Sequence, residues 1–127
     1  MSISLNEEER IELGRILVNL LEDWKLRPED QLRLLGLEEM AKPRHLAQFQ
    51  SGKPLPETPD LAERARRLLG IQHALQQNNP ANPGHAFLWL HNRNKYFPDR
   101  APIEVMLDDG VDGLQYVWTR LDCTQHW

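Results

Sequence analysis

Side chains that could perform chemistry are few in this chain of 127 residues, and their spacing argues against catalysis. The candidates for metal binding or nucleophilic catalysis are His45, His73, His85, His91, His126 and Cys123. No two of these histidines lie four residues apart, so the helical His-x-x-x-His zinc pair is missing. One cysteine can neither form an intramolecular disulfide nor complete a thiolate zinc site. We therefore expect a protein that is not an enzyme and holds no metal or cofactor.

Three aspartates around a glycine form the remaining acidic candidate. Asp108, Asp109 and Asp112 flank Gly110, but the alternating oxygen ligands and the terminal glutamate of a calcium loop are missing. A helix break, followed by acidic residues in the first turn of the last helix, is the simpler interpretation. The glycines form no phosphate-binding loop.

A slight excess of positive charge lies in the first half of the chain. The formal net charge of −4 and the isoelectric point near 5.7 exclude a strongly basic nucleic-acid-binding protein. Residues 25–53, however, contain six basic and four acidic residues. The candidate DNA-contacting residues of this stretch are Lys42, Arg44, His45, Gln48 and Lys53. For this set, DNA contact, a solvated helix face and a protein interface all remain open.

Apolar periodicity and helix punctuation predict an all-α fold of about seven helices. The predicted helices cover residues 5–24, 28–35, 43–52, 59–77, 83–90, 103–107 and 111–121. Ser4 and Glu7 have the spacing of a capping box, and Gly36 is placed as a left-handed helix cap. In the third helix, Leu46 and Phe49 are the candidate inward positions. The apolar stripe from residue 13 to 24 fits either a core or a dimer interface.

The run Gly-Lys-Pro-Leu-Pro at residues 52–56 is the best boundary between two modules, which predicts domains at 1–57 and 58–127. The helix at 28–35, its glycine cap and the helix that starts at Pro43 resemble a helix–turn–helix unit, although the connector is long. The chain ends on Trp127, after a polar tail. This terminal tryptophan either anchors a partner or folds back.

The compartment follows from what the sequence lacks. No apolar run approaches the roughly 18 residues that a membrane span needs. The N-terminal run MSISLNEEER is acidic, whereas a signal peptide is basic and then apolar. We therefore expect a complete, cytoplasmic chain with no membrane partner.

Two long runs of the chain resemble the Xre/MbcA/ParS-type antitoxins of RES–Xre type II toxin–antitoxin modules. The runs are LGLEEMAKPRHLAQFQSGKPLPETPDLAERARRLLGIQHALQQNNP and HAFLWLHNRNKYFPDRAPIEVMLDDGVDGLQYVWTRLD. The resemblance extends from about Glu12 to Asp122. Its most specific parts are LGI with HAL at residues 69–75, Trp89-Leu90, and PIEVML at residues 102–107 with the glycines that follow.

The resemblance implies an Xre-like helix–turn–helix module followed by a toxin-binding module. In this family the second module covers the NAD-containing cleft of a RES-domain toxin, and the complex represses its own operon. It also implies a homodimer or a hetero-oligomer with the toxin. The residues that the resemblance places against the toxin are Arg93, Lys95, Arg100, His126 and Trp127. The alternative is a DNA-binding transcription regulator without a toxin partner.

One stretch departs from the family pattern. Family members often carry Phe-Gly-Gly before the helix that starts at Pro102, whereas this chain has Phe97-Pro98-Asp99-Arg100-Ala101. The proline stiffens this loop, and Asp99 and Arg100 add one negative and one positive charge. Because these side chains replace the family's glycines, the toxin contacts of this loop are expected to differ from those of other family members.

Overall fold

The computed structural model describes residues 5–78 and 84–124, and this part of the chain is helical without any strand. Its six helices are α1 (Glu7–Asp23), α2 (Pro28–Leu35), α3 (His45–Gln50), α4 (Leu61–Asn78), α5 (Gly84–His91) and α6 (Pro102–Thr124). The all-α class is thus confirmed. Within the described residues, no helix has the length and apolar character that crossing a membrane requires.

The last two predicted helices, residues 103–107 and 111–121, both lie within α6 and are separated by Gly110. α6 joins them across Gly110, whose φ of 64° and ψ of −137° are not helical. The predicted break at this glycine is therefore present as a sharp kink and not as a loop. α6 also runs on to Thr124, three residues beyond the predicted end at Leu121.

The capping box of α1 lies two residues later than the sequence spacing suggested. The Asn6 side chain accepts a hydrogen bond from the Glu9 amide at 2.8 Å, and the Glu9 carboxylate accepts one from the Asn6 amide at 3.0 Å. The prediction of Ser4 with Glu7 was wrong because the run of three glutamates offers more than one register. Asn6 is an equally good N-cap, and it brings three glutamates into the first turn, where the helix dipole favours them.

The apolar stripe of α1 faces the interior. Leu17, Leu21 and Trp24 are fully or almost fully buried, whereas Ile16 stays 40% exposed at the edge of the stripe. α2 has its predicted bounds, with Gly36 in the left-handed conformation as its cap. The sequence was compatible with either a core or a dimer interface for this stripe, and the structure shows that most of it belongs to the core.

A close approach between α1 and α3 fixes the first part of the chain. A Cβ atom on Gly14 would lie 3.3 Å from the Phe49 carbonyl oxygen and 3.4 Å from Leu55. Both Leu46 and Phe49 are buried, as their spacing predicted. The small residue on α1 lets the two helices pack tightly, and α3 in turn presents its opposite face outward.

Arg64 connects the start of α4 to the end of α2. Its guanidinium pairs with Asp60 at 2.8 Å and donates to the carbonyl oxygens of Arg33 and Leu34 at 3.3 and 3.0 Å. These carbonyls belong to the last turn of α2, where the carbonyl groups have no hydrogen-bond donor within the helix. The cation also opposes the negative end of the helix dipole.

The chain divides into two compact units, residues 1–66 and 67–127. The boundary predicted between residues 57 and 58 lies in the irregular segment before α4, whereas the division of the structure falls within α4 itself. In the second unit, α5 packs against α6 and the Trp118 indole lies directly over Gly70. A Cβ atom on Gly70 would collide with that indole ring, so the glycine makes room for it.

Candidate functional site

The five residues predicted to contact DNA lie together on α3 and the segments that flank it. Lys42, Arg44, Gln48 and Lys53 are exposed, and His45 is half-buried. The Lys42 amide donates to His45 Nδ1 over 2.8 Å, and Lys53 Nζ donates to Gln48 Oε1 over 3.1 Å. We name this set the basic face. It groups three cations on one surface of the first unit, a suitable arrangement for phosphate contacts.

The surroundings of His45 favour the neutral form of its imidazole. Desolvation, followed by the positive charges of Lys53, Arg44 and Lys42, lowers the pKa of the imidazole below its ordinary value of 6.5. The hydrogen bond from the Lys42 amide also favours the neutral imidazole, because an Nδ1 atom that accepts a hydrogen bond carries no proton. A phosphate group near this imidazole would offset the cations and favour its protonation.

We expect NMR titration of His45 to give a pKa below 6.5, because desolvation and then the three neighbouring cations oppose a charge on the imidazole. Lys53→Gln should raise this pKa towards 6.5, whereas Lys25→Gln, outside the basic face, should leave it unchanged. Because the pKa of His45 is lower in the folded protein than in the unfolded chain, the contribution of this residue to the folding stability is complete at a pH above the unfolded-state pKa. This contribution is lost as the pH falls through the folded-state pKa. A His45 pKa at or above 6.5 in the wild type contradicts this prediction.

The second set of predicted residues lies in the segment between α5 and α6. Arg93 and Lys95 are exposed and Arg100 is half-buried. Backbone hydrogen bonds of 3.2 and 3.0 Å pair Asn94 with Phe97, which forms a tight turn with Lys95 near its tip. The turn fixes the backbone on which these cations are carried.

Two aspartates of α6 hold Arg100 in place. Its guanidinium lies 3.3 Å from Asp108 and 3.1 Å from Asp109, and the hydrogen bond with Asp109 contributes most to raising the pKa of Arg100. These aspartates precede the kink at Gly110. The acidic cluster that resembled an incomplete calcium loop therefore positions an arginine.

Aromatic rings line the same cleft as this arginine. The Phe97 and Tyr116 rings meet edge to face at 5.6 Å, and Lys95 Nζ lies 5.0 Å from the centre of the Tyr96 ring. Arg120 lies 5.1 Å from the centre of the Tyr116 ring. An open cleft of about 200 Å³ is lined by Tyr96, Phe97, Pro98, Asp99, Arg100, Val105, Asp109 and Tyr116. We name the set Tyr96, Phe97, Arg100, Tyr116 and Arg120 the aromatic surface.

Sequence reasoning found Arg100 and missed Tyr116 and Arg120. These two residues are four apart on one helix, a spacing that brings side chains together and that could have been noticed. Their proximity to Phe97 depends on the packing of α6 against the preceding segment, which no local pattern encodes. The aromatic surface therefore combines one predicted residue with several that only the fold assembles.

Two predicted contact residues, His126 and Trp127, lie outside the described residues. Trp89 and Trp118 are half-buried, and Trp89 meets the Phe97 ring edge to face at 5.7 Å. Within residues 5–78 and 84–124, no three His, Cys, Asp or Glu side chains are grouped so that they could hold a metal ion.

Comparison with known proteins adds no relative to this description. No protein-family model, curated protein or solved structure matches the chain.

Proposed function

We propose that this chain is an antitoxin that binds a RES-domain, NAD-degrading toxin and covers its active-site cleft. The observation that supports the proposal best is the aromatic surface, where Arg100 pairs with two carboxylates and shares a cleft with tyrosine and phenylalanine rings. Tyrosine and arginine are enriched among the residues that dominate protein–protein binding. A surface of this composition fits a protein partner better than a small-molecule substrate.

The rigidity of this surface also favours binding. Arg100 loses little freedom when a partner arrives, because Asp108 and Asp109 already restrict its guanidinium. Ordering a free side chain at an interface costs about 0.5–1.5 kcal/mol, and a preorganised one avoids part of that cost. In this proposal the partner contacts an arginine and aromatic rings that are already in place.

The proposed second role is repression of the operon through DNA contacts of the basic face. Lys42, Arg44 and Lys53 would neutralise phosphates, and Gln48 is the polar side chain suited to a base edge. If this role stood alone, the chain would be a transcription regulator without a toxin. The grouping of the basic face in the structure is the observation in favour of this second candidate function.

The proposal is tested by co-expression with the RES-domain protein of the adjacent gene. We expect the two proteins to copurify as a stable complex and the chain to rescue cells that express the toxin. Deleting His126 and Trp127 should weaken rescue, because a terminal tryptophan is a strong anchor and its burial contributes a few kcal/mol. Full rescue by the shortened chain excludes the tail from the interface.

Two further results separate the candidate functions. If no complex forms and the adjacent gene encodes no RES-domain protein, the antitoxin proposal fails. If a promoter fragment is not retarded at about 50 mM salt, with or without the toxin, the repressor role fails. Retardation without any complex would leave the regulator as the function.

A further inference from the structure

The inference concerns α5 and the turn that follows it. α5 holds no Asp, Glu, Lys or Arg residue, and its sequence, GHAFLWLH, is strongly apolar. Leu90 is fully buried and anchors the helix, whereas Phe87 stays 37% and Leu88 55% exposed. Two large apolar side chains therefore remain in contact with solvent on a short, uncharged helix.

Two local contacts stabilise the end of α5. The Phe87 ring lies 4.7 Å from the His91 ring, one helical turn later. Asn92 Nδ2 donates to the Leu88 carbonyl oxygen over 2.8 Å, which closes the end of α5 and ties the next segment to it. Arg93 follows directly, so an exposed guanidinium is attached to the end of the apolar helix.

The charges of the second unit are divided along the chain. Residues 67–98 contain three cations and no acidic residue, whereas residues 99–127 contain two cations and six acidic residues. The cations next to α5 are Arg93 and Lys95. Arg93 makes no ion pair or side-chain hydrogen bond with any described residue, so no carboxylate among those residues neutralises it.

We propose that Phe87, Leu88, Arg93 and Lys95 form a docking surface for an acidic, amphipathic segment of the protein partner. The partner segment would place apolar side chains against Phe87 and Leu88 and carboxylates against Arg93 and Lys95. This inference rests on the proposed antitoxin function and specifies which chemistry the toxin presents. Amphipathic helices are commonly bound in this way, with an apolar contact and a charged rim.

A protein segment fits these observations better than nucleic acid does. Leu88, which is 55% exposed, offers no ring on which a base could stack, and a phosphate backbone would leave the apolar side chains of Phe87 and Leu88 uncovered. Charge complementarity gives specificity and faster association, and it weakens with salt. The proposal therefore predicts both an apolar and a salt-sensitive part of the binding energy.

The test measures the dissociation constant of the full chain with the RES-domain protein of the adjacent gene. We expect Leu88→Ser to raise it at least about tenfold, and the double variant Arg93→Glu with Lys95→Glu to do the same. Raising the salt from about 50 to about 300 mM should weaken the wild type more than the double variant. Circular dichroism melting should show that the variants remain folded.

Matched controls come from the first unit. Met40→Ser removes an apolar side chain that is 57% exposed, slightly more than the 55% of Leu88, and Arg15→Glu reverses an exposed charge on α1. Both controls should bind like the wild type. If the wild type binds the toxin and the α5 variants bind equally well, the docking surface is refuted while the antitoxin function stands.

Other outcomes would also overturn this inference. The surface would be a contact between copies of this chain if Leu88→Ser changed the oligomeric state in sedimentation but not the toxin affinity. It would bind nucleic acid if the double variant lost only the binding of a labelled oligonucleotide. A wild type that fails to bind the toxin refutes the antitoxin function itself.

Discussion

Phe49→Ala is expected to lower the free energy of unfolding by about 3–5 kcal/mol, the usual cost of removing a buried aromatic ring. Phe49 is 1% exposed and lies where α3 approaches Gly14 of α1. α3 has only six residues and is too short to be stable alone, so it depends on this contact. Urea unfolding followed by tryptophan fluorescence measures the loss.

The same variant should disturb the basic face. His45 and Gln48 stand on α3, and their hydrogen bonds with Lys42 and Lys53 require that helix to keep its position. We therefore expect weaker binding of a promoter fragment as well as lower stability. The control is Phe87→Ala, which removes the same ring where it is 37% exposed and should cost less than about 1 kcal/mol. Equal destabilisation by both variants would show that Phe49 does not fix α3.

Gly113→Ala is expected to destabilise the protein by about 2 kcal/mol, although alanine is the better helix former by about 1 kcal/mol. A Cβ atom at this position would collide with the carbonyl oxygen of Val105 and lie 3.0 Å from Asp109 Cβ. Eight residues of straight helix span about 12 Å, so this contact exists only because the chain turns sharply at Gly110. The obstructing atom belongs to the backbone and has no rotamer that would relieve the collision.

The effect of this variant should extend to the aromatic surface. Asp108 and Asp109 precede the kink and position Arg100, whereas Tyr116 and Arg120 follow it. A change in the kink angle would separate these groups, and we expect weaker toxin binding in addition to the shift in urea midpoint. Gln115→Ala, at an exposed position of the same helix, should stay within about 0.5 kcal/mol of the wild type. A Gly113→Ala protein as stable as the wild type would mean that the kink tolerates a side chain.

Much of the fold could be predicted from the sequence because its signals are local. α2 begins at Pro28 and ends at Gly36, where a proline fits a first turn and a glycine accepts a left-handed conformation. The apolar spacing identified Leu46 and Phe49 as buried. The register of the first cap was the main local error, since Ser4, Asn6 and three glutamates offer competing pairs.

The candidate site was harder to predict, because its contacts join residues that are not neighbours at helical spacing in the sequence. The pairing of Arg100 with residues 108 and 109 needs the turn at the start of α6. The edge-to-face contact of Phe97 with Tyr116 needs the packing of α6 on the segment before it. Neither interaction has a periodic sequence signal.

The sequence by itself determined the all-α class, most helix limits, the buried sides of α1 and α3 and the local excess of cations between residues 25 and 53. Each of these depends on near neighbours through backbone hydrogen bonding, capping or charge. Only the tertiary structure decided that Asp108 and Asp109 pair with an arginine, that aromatic rings line the same cleft, and that Phe87 and Leu88 stay exposed. These features depend on which faces remain after the helices pack, and packing is a property of the whole unit.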